Sequence, residues 1–450
     1  MLYSAGGRFL IRAKEFEGWR ELCDRLQTSV DGWAWEEAEG DLAFHLAAVG
    51  FSGGRVPSAG LRAALVERRN QPLGFVLRES GRWREEKFFR RALPGQARCA
   101  GCAATRPLIE GGDVCARCNE DISLGQALAH SSFGRISSDP SGQISALGLS
   151  LELCERRDSS AGEWLSLAGA ASDATRWPVL RQVPLSSSGD VLDFDEIADF
   201  SPGNRKFLGY ARIDADHVGE RFDRLGGDPK RVWGLSRLLH LFFGSYAGEL
   251  LRERFPHIYA VYGGGDDLFV IGPWAEVLEY VLELRRSLRI VAGDGLTFSA
   301  GIHLTKPLEH VLSAANEAGR DLEKAKVDRA WARQTGRDQI RALDVISDWE
   351  TFAKLLNEGK RASNWLEERL VPSSFLQQVL LLHRQWRSAR RPADLVRHRP
   401  LLRYQAERNL KGEVRSWALS VFREDSLWPW ADFVARYSLL ASKRSKESED

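Results

Sequence analysis

Residues 258–271, IYAVYGGGDDLFVI, constrain this chain more than any other stretch. Two short apolar runs, 258–262 and 268–271, flank Gly263, Gly264, Gly265, Asp266 and Asp267. Short β-rich runs separated by Gly and Asp predict a β-hairpin. Glycine permits positive φ and lets a ligand approach the backbone closely. Asp266 and Asp267 then stand at the hairpin tip, where adjacent carboxylates repel unless a proton or cation joins them. Their oxygens are the ligands that Mg²⁺ and Mn²⁺ prefer. The plainer reading is an ordinary turn with solvated acids, since turns favour these residues.

A second acidic strand end tips the balance. Residues 207–216, FLGYARIDAD, read as a strand ending in Asp214-Ala215-Asp216. Alternation puts Asp214 and Asp216 on one face if the strand continues that far. Two strands delivering carboxylates to one sheet edge is an arrangement that holds two metals for nucleotidyl transfer.

The elements around these motifs form an orderly series. The strand 207–214 is followed by a turn at Gly226-Gly227 and by a helix with Asp228 as cap and Pro229 at its first position. That helix runs to about residue 255. The hairpin follows, then a helix over 274–291, a strand over 296–304, a helix starting near Pro307 and reaching Lys326, and a last strand over 339–345. The order β-α-β-β-α-β is the ferredoxin-like plan. From residue 346 onward no strand is expected. Amphipathic runs at 349–356, 362–370, 375–386, 414–422 and 430–440 predict a helical bundle.

The 450 residues suffice for about three domains at ordinary sizes. With 43% hydrophobic and 28% charged residues and a net charge of +1, any nucleic-acid contact has to come from local patches. Between Arg384 and Arg415, ten Arg/Lys stand against Asp394, Glu407 and Glu413, a local charge of +7. This surface can meet RNA backbone; the plainer reading is a solvated or protein-docking helix face. No apolar run approaches the roughly 20 residues of a membrane span, and the N-terminus has no signal-peptide organisation. A cytoplasmic location is expected.

Four of the six cysteines lie at Cys99, Cys102, Cys115 and Cys118. Two CxxC pairs separated by twelve residues suit a tetrahedral four-thiolate zinc site. Four protein ligands leave no open position, so the zinc is structural; a redox pair is the alternative. Residues 3–11, YSAGGRFLI, resemble the central hairpin with its acids gone, Gly6-Gly7 being followed by Arg8. We therefore divide the chain into a degenerate, incomplete first copy (1–95), a zinc module (96–130), a connecting region (131–204), the unit with the acids (205–346) and a helical domain (347–450). Within the first copy a helix is expected over 16–26 and a strand over 42–51. In the connecting region a strand is expected over 147–154 and a loop over 156–177.

With these motifs in view, the chain resembles the large subunit of type III CRISPR–Cas effector complexes, of the Csm type. The GG-containing first hairpin, the double CxxC, the Asp214 strand, VYGGGDDLFVIG, FSAGIHLTKP, Ala325-Lys326 and the helical C-terminal region carry the resemblance. It implies an α+β chain with two ferredoxin-like palm domains around a zinc module. It also implies synthesis of cyclic oligoadenylates from ATP when target RNA is bound, in a complex with other subunits and a guide RNA. Two divalent metals would be held by Asp214, Asp266 and Asp267, with the carbonyl of Ile213 or Ala215 helping. Gly263, Gly264 and Gly265 would let the nucleotide lie against the backbone, and Ser299 would face the adenine. Resemblance to related cyclases implies that Lys326 contacts the triphosphate. Asp216 is either a third ligand or a structural acceptor, and His217 a turn residue or a general acid–base group.

Many members of that family begin with an HD nuclease domain, whereas no His-Asp dipeptide occurs in these 450 residues. No DNase activity is expected of this chain, and a missing half is expected to be absent, separate or removed. The alternative function is a catalytically silent scaffold of the guide-RNA complex. A diguanylate-cyclase-like enzyme shares the hairpin chemistry, but the zinc module and duplicated palm argue against it.

Overall fold

The computed structural model describes residues 3–5, 8–14, 16–38, 42–51, 57–71, 74–75, 81–82, 97–102, 104–139, 142–146, 148–167, 175–176, 180–327, 336–389, 396–423 and 426–442. The Gly6-Gly7 turn, the tail 443–450 and part of the basic stretch 384–415 lie outside them. The chain packs as two units, residues 1–179 with 219–238, and residues 180–218 with 239–450. Among the described residues, no helix is long and apolar enough to cross a membrane.

In the first unit, Tyr3–Ala5 pairs antiparallel with Arg8–Leu10, as the hairpin reading expects. A helix follows at Trp19–Ala38, later and longer than expected. The strand expected over 42–51 does not form. Its backbone is held instead by a helix side chain: Gln27 Nε2 donates to Phe44 O at 2.7 Å, and Leu46 N donates to Gln27 Oε1 at 2.5 Å. The connecting region is also more regular than expected. A five-stranded sheet runs in the order Ile144–Ala146, Leu149–Cys154, Phe133–Ser137, Glu163–Ser166, Thr175–Arg176. The last two strands lie inside the stretch read as a loop. Trp164 and Leu165 are buried there, and Trp164 packs edge-on against Phe133 at 6.4 Å. Two apolar residues among Ser, Gly and charges were too short a run to stand out.

The second unit is built on a six-stranded sheet. Four of its strands, counted outward to one edge, lie in the order Phe298–Thr305, Leu208–Ala215, Asp267–Pro273, Tyr259–Gly264, all antiparallel. This is the ferredoxin-like order, closed by Phe298–Thr305. The strand expected over 339–345 is a hairpin, Gln339–Ala342 with Val345–Asp348, extending the sheet beyond that core. Leu343 (φ 49) and Asp344 (φ 63) both take positive φ, the pair a type I′ turn requires. A strand therefore continues past residue 346, contrary to expectation.

One side of the sheet packs on the helix Trp274–Ala292. Gly209 is needed here, since a Cβ would fall 3.2 Å from Trp274 Cα and from Val277 Cβ. The other side packs on Val311–Val327, where Ala314, Ala315 and Ala318 meet Tyr210, Phe269 and Ile271. Asp228 accepts from Lys230 N at 2.9 Å and starts the expected helix. It runs as Pro229–His240, a π-helical turn Leu241–Tyr246, and Ala247–Arg254.

The C-terminal helices are Trp349–Glu367, Ser373–Ser388, His398–Asn409, Gly412–Val421 and Ala431–Ala441. Two expected runs merge into the first. The third escaped notice because it buries only the narrow stripe His398, Leu402 and Ala406 among arginines.

Candidate active site

The acids meet through strand register. Asp214 lies directly opposite Asp267 on one side and Ser299 on the other. Gly264 pairs with Asp267 and closes a two-residue turn, Gly265-Asp266. Gly265 has φ 65, the positive φ that a type II′ turn needs at its first residue. Ala215 N donates to Asp266 O at 2.7 Å and ties the turn to the end of the Asp214 strand.

Directly opposed carboxylates are destabilising in a sheet. Burial, reinforced by Asp266 and Asp214, pushes the Asp267 carboxyl up to about 6. Burial also raises Asp214, opposed by Lys326, whose Nζ lies 3.0 Å from Asp214 Oδ2. Asp214 and Asp267 thus stand opposite each other with Asp266 in the adjoining turn, and the one ammonium here serves Asp214. This is a hard-oxygen donor set short of positive charge, and it fits divalent cations.

Lys326 is not an exposed helix lysine. Its side chain is 13% exposed and bonds Asp214. Asp216 takes the structural role. It is fully buried and accepts from Thr297 Oγ1 (2.9 Å), Ser299 Oγ (2.8 Å) and Asp338 N (3.0 Å). Asp338 is gripped in turn by Arg285 Nε and Nη2, each at 2.9 Å.

Ser299 therefore does not face a nucleotide: it is fully buried and its hydroxyl is committed to Asp216. Ile213 is also unsuited as a ligand. The Ala215–Asp266 bond sets the phase of the antiparallel ladder, which alternates bonded and non-bonded pairs. That phase gives the Ile213 carbonyl to Leu268, its register partner. Ala215 stands at the open end of the ladder. His217 sits exposed in the following turn with φ 57.

The three glycines differ in role. A Cβ on Gly263 would fall 2.4 Å from Leu180 Cδ2 and 3.0 Å from Phe243 O, so Gly263 serves packing beneath the hairpin. At Gly264 a Cβ would meet nothing within 4 Å. Gly265 serves the turn. Alternation in the sequence also offered Tyr262 and Arg212, one row behind the acids, and neither was singled out.

The four cysteines converge in the first unit, their Sγ atoms all within 4.8 Å of one another. Cys102 Sγ lies 3.9 Å from Cys115 Sγ, against about 3.8 Å for tetrahedral zinc at the usual Zn–S length. Cys115 N donates to Cys99 Sγ at 3.2 Å. Gly101 is required in its knuckle, where a Cβ would fall 2.9 Å from Cys118 Sγ. The donor set fits a structural zinc.

Residues 207–340 match the family model of the Cas10/Cmr2 second palm domain. The chain is 26% identical over 369 residues to the CRISPR system single-strand-specific deoxyribonuclease Cas10/Csm1 (subtype III-A) of Thermococcus onnurineus, covering 72% of this chain and 46% of that protein. The Methanocaldococcus jannaschii protein of the same description is 34% identical over 184 residues, 36% of this chain and 23% of its own length. The chain thus spans about half the length of these relatives, or less. Among solved structures, an apo Csm1-Csm4 cassette superposes with a TM-score of 0.71 at 21% identity, covering 98% of this chain and 62% of that one. The same cassette in complex with cA4 gives 0.69 at 19% identity, with equal coverage. These structures share the fold; residues 207–340 match the Cas10/Cmr2 second palm, and over 72% of its length the chain is similar in sequence to a Cas10/Csm1 protein of subtype III-A.

Proposed function

We propose that this chain makes cyclic oligoadenylates from ATP by two-metal nucleotidyl transfer at its acidic strand edge. The observation that carries the reading is the register that sets Asp214 opposite Asp267, with Asp266 in the adjoining turn. Asp214, Asp266 and Asp267 would hold Mg²⁺ or Mn²⁺, with the Ala215 carbonyl at the open end of the ladder. Bound metal supplies Lewis-acid activation of a ribose hydroxyl and of the leaving pyrophosphate. Lys326, released from Asp214, would turn to the triphosphate. Support comes from solved Csm1-Csm4 cassettes crystallised with one ATP, with pppApA and with cA4. By the same likeness we propose a neighbouring subunit of the Csm4 kind, a guide-RNA complex whose target RNA gates the activity, a structural zinc at the four cysteines and a cytoplasmic location. Lacking any His-Asp dipeptide, the chain is proposed to carry no HD-type nuclease.

The test is incubation with ATP and Mn²⁺ or Mg²⁺, alone and with the guide-RNA complex plus target RNA, with products separated by mass. Oligoadenylates are expected. The Asp266→Ala, Asp267→Ala double variant should lose about 10³-fold or more, because metals supply several kcal/mol of transition-state stabilisation at about 1.4 kcal/mol per tenfold. It should stay folded, since removing opposed carboxylates relieves repulsion. No product from a protein that still binds ATP and zinc would leave the scaffold reading. Loss of the fold in the variant would make the acids structural. DNA cleavage that survives the double substitution would refute the nuclease statement.

A further inference from the structure

We infer that Arg212 is the anion anchor of this site and receives the terminal phosphates of the bound nucleotide, an inference that rests on the nucleotidyl-transfer reading above. Arg212 precedes Asp214 by two residues on the same strand, about 7 Å away at the ordinary rise, and shares its face. Its register partners are Phe269 on one side and Gly301 on the other, and Phe269 lies opposite Tyr262. One row behind the acids, the sheet therefore carries Tyr262, Phe269, Arg212 and Gly301.

The helix Val311–Val327 bounds this row. At Gly301 a Cβ would fall 2.1 Å from Leu322 N, so the helix rests on the sheet there. At Gly319, facing Arg212, a Cβ would stand 3.7 Å from both Arg212 Cδ and Nη1. The same helix carries Lys326 to Asp214. Arg212 thus lies on the sheet between the helix at Gly319 and the hairpin strand of Tyr262 and Gly264.

Among the described residues the guanidinium has no counter-ion. Its carbon stands 5.2 Å over the Phe269 ring, and its buried Nε has no hydrogen-bond partner. Among the described residues Arg212 makes no ion pair, while the nearest row of acids is served by Lys326 and suited to metal. Arg212 is half-buried, and a cation drawn from water without a partner carries a cost that an anion would offset. The rigid fork of N–H donors matches phosphate oxygens bidentately. A triphosphate held by metals at its α-phosphate end extends one row further, to where the fork stands. Tyr262 and Phe269 beside it are neutral and do not compete for it.

The test uses the full chain with two probes, inorganic tripolyphosphate with Mg²⁺, and adenosine. Arg212→Met keeps the aliphatic stem on Phe269 and removes the fork. We expect it to bind tripolyphosphate about 10- to 100-fold more weakly, as for losing hydrogen bonds to a charged group, with adenosine and Mn²⁺ affinities unchanged. Arg212→Lys should fall between. Wild-type tripolyphosphate affinity in Arg212→Met would overturn the inference, as would an equal loss for adenosine. Should Arg212→Met fail to fold, Arg212→Lys decides: weaker tripolyphosphate with unchanged adenosine supports the anchor, and wild-type affinity overturns it. Oligoadenylate synthesis by the wild type with unchanged tripolyphosphate affinity in the variant would sink the anchor alone. Tripolyphosphate binding that needs Arg212, without any synthesis, would sink the proposed function alone.

Discussion

The cysteine cluster and the acidic cluster are both short of a cation, and they are assembled in opposite ways. The four thiols come from one stretch of 20 residues, Cys99 to Cys118, so a short local fold closes the site. The acids come from two strand ends and a turn some fifty residues apart, and their counter-ion from a helix more than a hundred residues beyond Asp214. The thiols sit among backbone donors. The N–H of Cys102 above all, against some burial, lowers Cys99 to about 6. Burial and the neighbouring thiols push Cys118 up to about 12. Such a set ionises fully only with a metal at its centre, and the metal then has four ligands and no vacancy. The acids have an internal substitute, Lys326, which metal or phosphate can displace. A locally encoded, closed site suits a structural ion, whereas a site assembled by the sheet suits ions that come and go with substrate.

The sharpest way to break this contrast is to attack the thiols. Cys115→Ser, at a buried ligand, should lose the zinc and the protection of residues 99–118. Structural zinc in small modules contributes on the order of 10 kcal/mol, so local unfolding is expected rather than a mild shift. Metal content and hydrogen exchange would show it. The acid variants should keep their zinc. A Cys115→Ser protein with full zinc and unchanged exchange would mean that the cluster is not a closed four-thiolate site.

A smaller effect is expected at the acids, with the opposite sign. Asp267 is held at about 6 in the fold, by burial first and then by Asp266 and Asp214, against about 3.9 in an unfolded chain. The folded state therefore binds this proton more tightly. Its stabilisation is present below about pH 4 and is lost as pH rises through about 6. In metal-free protein, the Tm of the wild type should fall by a few degrees relative to Asp267→Asn between pH 5 and 7. Mn²⁺ should restore it at pH 7.5 and do little at pH 5, where it must displace the proton. Parallel melting curves for the two proteins across this range would show that Asp267 is not strained.

How much of this was legible follows the same division. The cysteine spacing alone gave the four residues that converge, because the information is local. The hairpin, the Asp214 strand and the helix over 274–291 were legible because apolar periodicity and Gly-Asp turns are local as well. The fate of individual side chains was not. Asp214 and Asp216 are two residues apart on one strand end, yet one faces the site and the other is consumed by Thr297, Ser299 and Asp338. The deciding partners come from segments some eighty and more than a hundred residues downstream. Ser299 was assigned to the adenine because its strand was known but its neighbour was not. Arg212 was in plain view by alternation. Its lack of a counter-ion among the described residues is a property of what packs around it, which no pattern in FLGYARIDAD records.

The smallest expected effect, and the one that most directly tests the idea of a displaceable internal cation, is at Lys326. If Nζ at 3.0 Å from Asp214 stands in for a metal, Lys326→Met removes a competitor and leaves Asp214 without its only short-range counter-charge among the described residues. Metal binding to the resting protein should then tighten by roughly fivefold, since a partly exposed ion pair is worth about 1 kcal/mol or less. If the released ammonium also meets the triphosphate, the KM for ATP should rise in the same variant while zinc content stays constant. The two shifts have opposite signs in one protein, so a general loosening of the site cannot imitate them: it would weaken both. Tighter Mn²⁺ binding with an unchanged KM would keep Lys326 as a resting counter-ion only. A higher KM with unchanged Mn²⁺ affinity would mean that Asp214 and Lys326 do not compete with metal, and the contrast between a closed site and a displaceable one would have to rest on the acids alone.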